Sequence, residues 1–243
     1  MLFRSPKEDI PWQQFPALRP TLARWKLIPE GSPESAVGEL GLSVRKVIAS
    51  SDDPVDACLD FLARHPTDLV VLSVHQHNGR MRWMERAVGK PIARAIGEMT
   101  LYLPHGMDGF VAPADGAVTL RHILVPVTDS PLPAPAVSAT ARLIRNLGLP
   151  AGKVTLLHVG APDDAPPLTL PGDTGWEWAR TTRSGDPAST IAQFANETQA
   201  DLIVMTSEGP HGFLDALRGS TSERVLSMTH CPLLNLPVGS RHG

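Results

Sequence analysis

The 243-residue sequence contains little cysteine, with Cys58 and Cys231 as its two thiols. Two thiols cannot form the disulfide framework of a small secreted domain, and they do not supply a cluster of metal ligands. We therefore expect a chain suited to a reducing cytosol, with both thiols in the protein core. The hydrophobic fraction of 42% is sufficient for a packed core in one or two domains.

Excess positive charge and long apolar runs are also missing. The formal net charge is −3 and the pI is about 6.3, so no basic surface for a nucleic-acid partner is expected. No apolar run approaches the roughly 18 residues of a membrane-spanning helix. The start of the sequence, Met1 to Asp9, lacks the apolar segment of a signal peptide. These absences predict a cytoplasmic protein with no membrane partner.

Motifs for catalysis are absent from the sequence. It has no Gly-x-Ser-x-Gly elbow, no Walker lysine after a glycine-bearing loop and no paired carboxylates in a defined context. His75 and His77 are close in sequence, but no thiolate or carboxylate lies at ligand spacing, so they are interpreted as loop residues. We predict no catalytic residue and no metal site, with slow nucleotide hydrolysis as the enzymatic alternative.

Short apolar runs do alternate with amphipathic segments along the whole chain. Such runs are typical of buried parallel strands, and the amphipathic segments between them predict helices. The alternation predicts an α/β fold made of two tandem Rossmann-like units, each a parallel sheet flanked by helices. Strands are predicted at residues 44–49, 68–72, 101–103, 122–127, 153–159, 176–182 and 202–205, and helices at residues 16–27, 83–96 and 134–147 and after Asp53-Pro54 and Asp186-Pro187.

The two halves of the chain repeat one another at a constant offset. Asp53-Pro54 in the first half recurs as Asp186-Pro187 in the second half. Leu103-Pro104-x-Gly106 recurs as Leu236-Pro237-x-Gly239, at the same distance along the chain. An ungapped offset of this kind indicates two copies of one unit, predicted at residues 1–117 and 118–243. Positions separated by this offset are called equivalent below.

The first copy is predicted to be incomplete at its amino end. The offset places the counterpart of the strand at residues 122–127 before residue 1, so the first strand and first helix are missing, and residues 1–3 are at best a remnant of the second strand. A sheet that lacks a central strand leaves backbone donors and acceptors to be paired. Two explanations remain open: a start codon assigned too late, or a partner surface that covers the gap.

A glycine-bearing loop follows the predicted strand at residues 202–205. Beyond the loop, Ser220 and Glu223 have the spacing of a capping box, which predicts that a helix begins there. A loop that leaves the carboxyl end of a parallel strand and enters a helix gathers free backbone N–H groups at the positive end of the helix dipole. The sequence therefore predicts an anion site at this loop.

These residues resemble the carboxyl-terminal signature of the universal stress protein family. The family pattern is Gly-x2-Gly-x9-Gly-[Ser/Thr], often followed by Cys-Pro-Val-Leu. This chain has Thr206-x2-Gly209-x9-Gly219-Ser220, followed by Cys231-Pro232-Leu-Leu. The resemblance implies an adenine-nucleotide-hydrolase-like fold and ATP or AMP as ligand. It also implies a non-catalytic stress-response or regulatory role, and a homodimer or an internal pseudo-dimer through terminal strands. The alternative is a protein-interaction scaffold of the same fold that binds no nucleotide.

The resemblance also implies which residues contact the nucleotide. They lie after the first strand of the second copy, at the end of its fourth strand, and in the loop and helix start that follow: Val127, Thr128, Asp129, Thr206, Gly209, His211, Gly212, Gly219, Ser220, Thr221 and Ser222.

Three positions depart from the family pattern. Thr206 replaces the first glycine, Glu208 places a carboxylate close to the expected phosphates, and the acid expected at Thr128 comes one residue later as Asp129. In the first copy the loop pattern is lost, because Gln76, Arg86 and Ala87 stand at the positions equivalent to Gly209, Gly219 and Ser220. The first copy is therefore predicted to be structural or to serve as one half of a dimer.

Overall fold

The computed structural model describes residues 2–4, 17–45, 47–50, 54–74, 76–77, 80–81, 98–104, 106–107, 109–172, 174–207 and 221–238. From residue 122 onward the strands and helices follow the predicted order, whereas several short elements before it were not predicted. The strands are β1 (Leu2–Arg4), β2 (Ile48–Ser50), β3 (Val70–Val74), β4 (Gln76–His77), β5 (Arg80–Met81), β6 (Thr100–Pro104), β7 (His122–Val127), β8 (Lys153–Val159), β9 (Glu177–Arg183), β10 (Leu202–Ser207) and β11 (Leu233–Pro237). The helices are α1 (Leu18–Arg24), α2 (Ser35–Glu39), α3 (Pro54–Arg64), α4 (Ala134–Asn146), α5 (Pro187–Glu197) and α6 (Thr221–Met228).

The second half of the chain forms the predicted parallel arrangement. Strand β7 pairs with β8 over its full length, β8 pairs with β9, and β10 pairs with β11, all in parallel. The central strands are buried on both faces because helices cover each side, which explains why they read as continuous apolar runs. Asp186 caps α5 by accepting a hydrogen bond from the backbone N–H of Ser189 at 3.1 Å.

Strands from the first half extend the same sheet. The seven-stranded order is β3-β6-β11-β10-β7-β8-β9, with β3 parallel to β6 and β6 antiparallel to β11. The two halves thus share one mixed sheet through their terminal strands, which is the internal pseudo-dimer arrangement given above as one of two alternatives.

The antiparallel contact between β6 and β11 has local twofold symmetry. Leu101 lies opposite Leu234, and these two leucines occupy equivalent positions of the two copies. On either side, Thr100 lies opposite Asn235 and Tyr102 opposite Leu233, so each strand presents equivalent positions to the other. This self-complementary arrangement is the one that two identical subunits form across a twofold axis.

Two short strands of the first half form a separate sheet. Strand β1 pairs in parallel with β2, with Leu2 opposite Ile48. The remnant strand expected at residues 1–3 is therefore present as β1, and it pairs with β2 as β8 pairs with β9 in the second half. Within the part of the chain that the structure describes, β3 is an edge strand that pairs with β6 alone.

Two apolar clusters lie on opposite faces of the large sheet. The cluster beneath α5 and α6 contains Leu124, Leu157, Ile203 and Leu233, and it also receives Tyr102 from β6. The cluster beneath α4 contains Ile123, Val125, Leu156, Val204, Trp176 and Leu234. Alternate residues of each central strand therefore face opposite helical layers, as expected for a doubly covered sheet.

Some element bounds differ from the predictions. Helix α1 is shorter than the predicted 16–27, because the chain turns at Trp25 and Lys26 adopts a left-handed backbone conformation with φ of 59°. The short helix α2 was not predicted, and it has no side-chain cap. The helix predicted at residues 83–96 lies outside the described residues. Over the described ranges, no helix has both the length and the apolar character needed to cross a bilayer.

Candidate functional site

The order of strands creates a crevice between β7 and β10. From β7 the chain proceeds outward to β8 and β9, then returns to β10 on the other side of β7. β10 pairs with β7 at Leu202, opposite Ile123, and at Ile203, opposite Leu124. Both strands continue beyond these pairs, β10 to Ser207 and β7 to Val127. In open α/β sheets, ligands bind outside the carboxyl ends of strands at such a reversal of direction.

Six of the eleven candidate residues lie at this carboxyl edge. Val127 is the last residue of β7, and the exposed Thr128 and Asp129 follow it directly. Thr206 is the penultimate residue of β10, and Thr221 and Ser222 begin α6. The remaining five, Gly209, His211, Gly212, Gly219 and Ser220, lie outside the described residues. The helix predicted from the Ser220 and Glu223 spacing is present and begins at Thr221.

Thr206 places a buried hydroxyl at the end of β10. Its Oγ1 is inaccessible to solvent and has no hydrogen-bond partner among the described residues. Its neighbour two residues earlier, Val204, belongs to the cluster beneath α4, so the Thr206 side chain lies on that face. An unpaired buried hydroxyl costs free energy, which a polar ligand group at this edge would recover.

His158 lies beside the end of β7 on the adjacent strand. It is buried, as predicted for a hydrogen-bonded core histidine, and its Nδ1 donates to the carbonyl oxygen of Val127 at 3.2 Å. Its Nε2 has no partner among the described residues. A Cβ atom at Gly160 would lie 2.7 Å from that Nε2, so glycine is required for the turn after β8 to close over the ring.

A polar network joins the end of β10 to the start of α6. The amide nitrogen of Asn235 donates to the Ser207 hydroxyl at 2.9 Å, and the Ser222 hydroxyl donates to Asn235 Oδ1 at 3.3 Å. Ser207 is the last residue of β10, and Ser222 lies in the first turn of α6. Sequence analysis missed this network. The available signal was Asn235 itself, a polar residue inside the otherwise apolar strand β11.

A second polar contact holds the same helical turn from the other side. Arg224 Nη2 lies 2.7 Å from Asp186 Oδ2, the oxygen that also caps α5. The Ser189 backbone N–H, followed by the Arg224 guanidinium, holds the pKa of Asp186 below its usual value. The Asp186 carboxylate offsets part of the positive charge of Arg224 at this turn.

The described residues offer little for covalent or metal chemistry. Burial raises the pKa of the Cys58 and Cys231 thiols to about 12, so both are protonated at neutral pH and both lie in the core as predicted. Cys231 donates through its thiol to the carbonyl oxygen of Ala200 at 3.0 Å. No group of three side chains suited to a metal ion occurs in the described part of the chain.

The carboxyl-terminal elements of this chain are similar to a known protein family. Residues 175–237, from the start of β9 to the end of β11, match the model of the Universal stress protein family. A universal stress protein of Methanocaldococcus jannaschii is 48% identical over 50 residues, which are 21% of this chain and 29% of that protein. The match thus spans less than a third of that relative's length.

Two solved structures share the fold over most of the chain. A universal stress protein from Archaeoglobus fulgidus is 18% identical with a TM-score of 0.59, covering 84% of this chain and 72% of that one. A functionally unknown protein from Pseudomonas aeruginosa is 14% identical with a TM-score of 0.53, covering 83% and 74% of the two chains. At these identities the likeness concerns the fold alone.

Proposed function

We propose that this chain, whose residues 175–237 match the model of the Universal stress protein family, binds an adenine nucleotide, ATP or AMP, and acts in a stress response or in regulation without catalysing a reaction. The nucleotide lies at the carboxyl edge of β7 and β10. Its phosphates meet the backbone N–H groups at the start of α6, and the segment from Val127 to Asp129 borders the other end of the ligand.

The observation that carries this proposal is the placement of β10 and α6. β10 borders the reversal point of the sheet, and α6 begins after the loop that follows β10 and is tied back to it through Asn235. A helix amino terminus at the carboxyl edge of a parallel sheet is a favourable place for phosphate.

The proposal assigns different roles to residues 1–117 and 118–243. The second unit holds the nucleotide, whereas the first unit supports it through the β6–β11 contact as an internal pseudo-dimer partner. Support for this division comes from Gln76, which occupies the position equivalent to Gly209 and forms part of the short antiparallel β4–β5 pair. An extended, paired backbone at that position differs from the glycine turn expected of an anion-binding loop.

Isothermal titration of the full chain with ATP and with AMP tests the proposal. We expect binding heat that is lost in Gly219→Val, because a side chain there obstructs close approach of the backbone to phosphate. Gly38→Val is the matched control, since a Cβ at Gly38 in α2 meets nothing within 4 Å. Heat that persists in Gly219→Val would place the ligand elsewhere.

The titration also separates the nucleotide-binding proposal from its main alternative. Absence of heat with both nucleotides, in protein that unfolds cooperatively, would contradict the proposal and favour the scaffold that binds protein partners. ATP turnover above background in the purified chain would contradict the non-catalytic part.

A further inference from the structure

Asn235 interrupts the apolar pattern of β11. The strand reads Leu-Leu-Asn-Leu-Pro, and its four other residues are buried, whereas Asn235 is half-buried. Asn235 shares the sheet face of Leu233, which belongs to the cluster beneath α5 and α6. An asparagine at such a position loses part of its hydration. The free-energy cost is small when both the amide nitrogen and the amide oxygen find hydrogen-bond partners.

Both ends of the amide are paired, and the two partners flank the glycine-bearing loop. Ser207 is the last described residue before the loop and Ser222 is the second residue after it. Asn235 Nδ2 donates to Ser207, and Oδ1 accepts from Ser222, at 2.9 and 3.3 Å. The Asn235 side chain on β11 therefore links Ser207 at the end of β10 to Ser222 at the start of α6.

We propose that Asn235 is a positioning residue for the nucleotide site, acting through Ser207 and Ser222 to hold the start of α6 at the end of β10. This inference rests on the proposed function, because the start of α6 is the element assigned to the phosphates. A helix start that is already held in place loses less ordering entropy when a ligand binds.

The first half of the chain lacks this network. The positions equivalent to Ser207, Ser222 and Asn235 are occupied there by Val74, Gly89 and Tyr102. These three residues cannot reproduce the serine–amide–serine chain, since valine and glycine have no side-chain hydroxyl. The network therefore occurs in the half that retains the glycine pattern, and its residues are replaced in the half that has lost that pattern.

The test combines two measurements on Asn235→Leu, which removes both hydrogen bonds while keeping the branching of the side chain at Cγ. The first is amide hydrogen exchange along α6, with α5 as the internal reference. The second is the affinity for ATP by titration. Leu236→Val is the matched control, because Leu236 lies one residue away on the opposite sheet face and its truncation weakens the core without touching the network.

We expect exchange in α6 to accelerate about fivefold or more relative to α5 in Asn235→Leu, as loss of a net hydrogen bond predicts, and to change equally in both helices in the control. ATP affinity should fall about five- to tenfold in Asn235→Leu and little in the control. Ser222→Ala and Ser207→Ala should each give part of the effect.

The outcomes separate the inference from the function on which it rests. Equal acceleration in α5 and α6 would show that Asn235 only stabilises the fold, and would overturn the positioning role whether or not ATP binds. Unchanged ATP affinity in Asn235→Leu, where the wild-type chain binds ATP, would overturn it as well. A wild-type chain that binds no ATP would defeat the proposed function, while the exchange measurement still decides whether Asn235 holds the loop's ends.

Discussion

The two halves of the chain contain helices and strands of equal length that lie in different surroundings. Helix α3 at Pro54–Arg64 and helix α5 at Pro187–Glu197 are equal in length, and so are β6 and β11. Helix α5 buries five residues on a sheet that continues on both sides. Among the described side chains of α3, only Cys58 is fully buried, in a small cluster with Leu59, Leu62, Val70 and Leu72.

The difference shows that equal element bounds do not give equal cores. Strand β10 lies between β11 and β7, whereas β3 has β6 as its one described neighbour. Apolar residues on a central strand lose more solvent contact than the same residues on an edge strand, so they contribute more to the free energy of unfolding. The repeat therefore predicts where the elements lie, while the strand neighbours determine their stability.

The largest expected effect compares two leucines at equivalent positions of the two copies. Leu202 is 1% exposed and Leu69 is 40% exposed. Leu202→Ala should reduce the free energy of unfolding by about 2–5 kcal/mol, and Leu69→Ala by less than about 1 kcal/mol. Urea denaturation measures both. Equal losses would mean that the two halves have equivalent cores.

A smaller loss of unfolding free energy is expected for Asp201, which precedes β10 and contacts the start of β7. Asp201 Oδ2 accepts from the backbone N–H groups of Arg121 and His122 at 2.7 and 2.8 Å. Asp201→Ala should cost about 1–3 kcal/mol, because two backbone donors lose an ionised acceptor. Asp201→Asn keeps one acceptor oxygen, so it should cost less. A similar loss in both variants would show that the charge, and not the acceptor geometry, matters.

Two glycines at the junction between the halves are expected to differ by about 1 kcal/mol in the stability lost when each is replaced by alanine. Gly106 and Gly116 both have a left-handed φ, at 79° and 76°. A Cβ at Gly116 would lie 2.6 Å from Trp25, whereas one at Gly106 meets nothing within 4 Å. Gly116→Ala should therefore destabilise the chain by about 1 kcal/mol more than Gly106→Ala, since it adds a steric clash to the same backbone strain. Thermal melts followed by tryptophan fluorescence measure this difference.

The smallest expected effect concerns the pH dependence of the α5 cap. The pKa of Asp186 is lowered in the folded chain, chiefly by the Ser189 N–H and then by Arg224. Its contribution to stability is therefore fully present above the ordinary carboxyl pKa and is lost as the pH falls through the lowered value. Asp186→Asn should show a melting temperature that declines less in acid than that of the wild type. An identical pH dependence of the melting temperature in the two proteins would show that protonation of Asp186 does not affect stability.

The general architecture could be predicted because buried parallel strands leave a local signal. Residues 122–127 and 153–159 are predominantly apolar segments, and the structure has strands with those bounds. Asp186-Pro187 identified the start of α5 because an aspartate cap followed by proline favours one backbone conformation. The six candidate residues at the carboxyl edge were implied by the family resemblance, and their contact with a nucleotide stays a prediction.

Contacts between distant parts of the chain leave no local pattern. The antiparallel β6–β11 pairing joins the terminal strands of the two copies, and it was expected as one alternative from the family resemblance, because neither strand carries a pattern that identifies its neighbour. A single asparagine in an apolar strand predicts a polar partner, but Ser207 and Ser222 become its partners only through the fold. Helix α2 is short and has no side-chain cap, so it lacks the periodicity and the boundary signals that identify a helix.

The β6–β11 contact has a consequence for association between copies of the chain. The backbone groups on the outer edge of β11 are already paired within the molecule, with Leu234 opposite Leu101. An internal partner has a high effective concentration because it is covalently linked, so a second chain competes poorly for that edge. A fragment that retained residues 118–243 alone would present this edge to solvent and acquire a tendency to pair that the intact chain has satisfied internally.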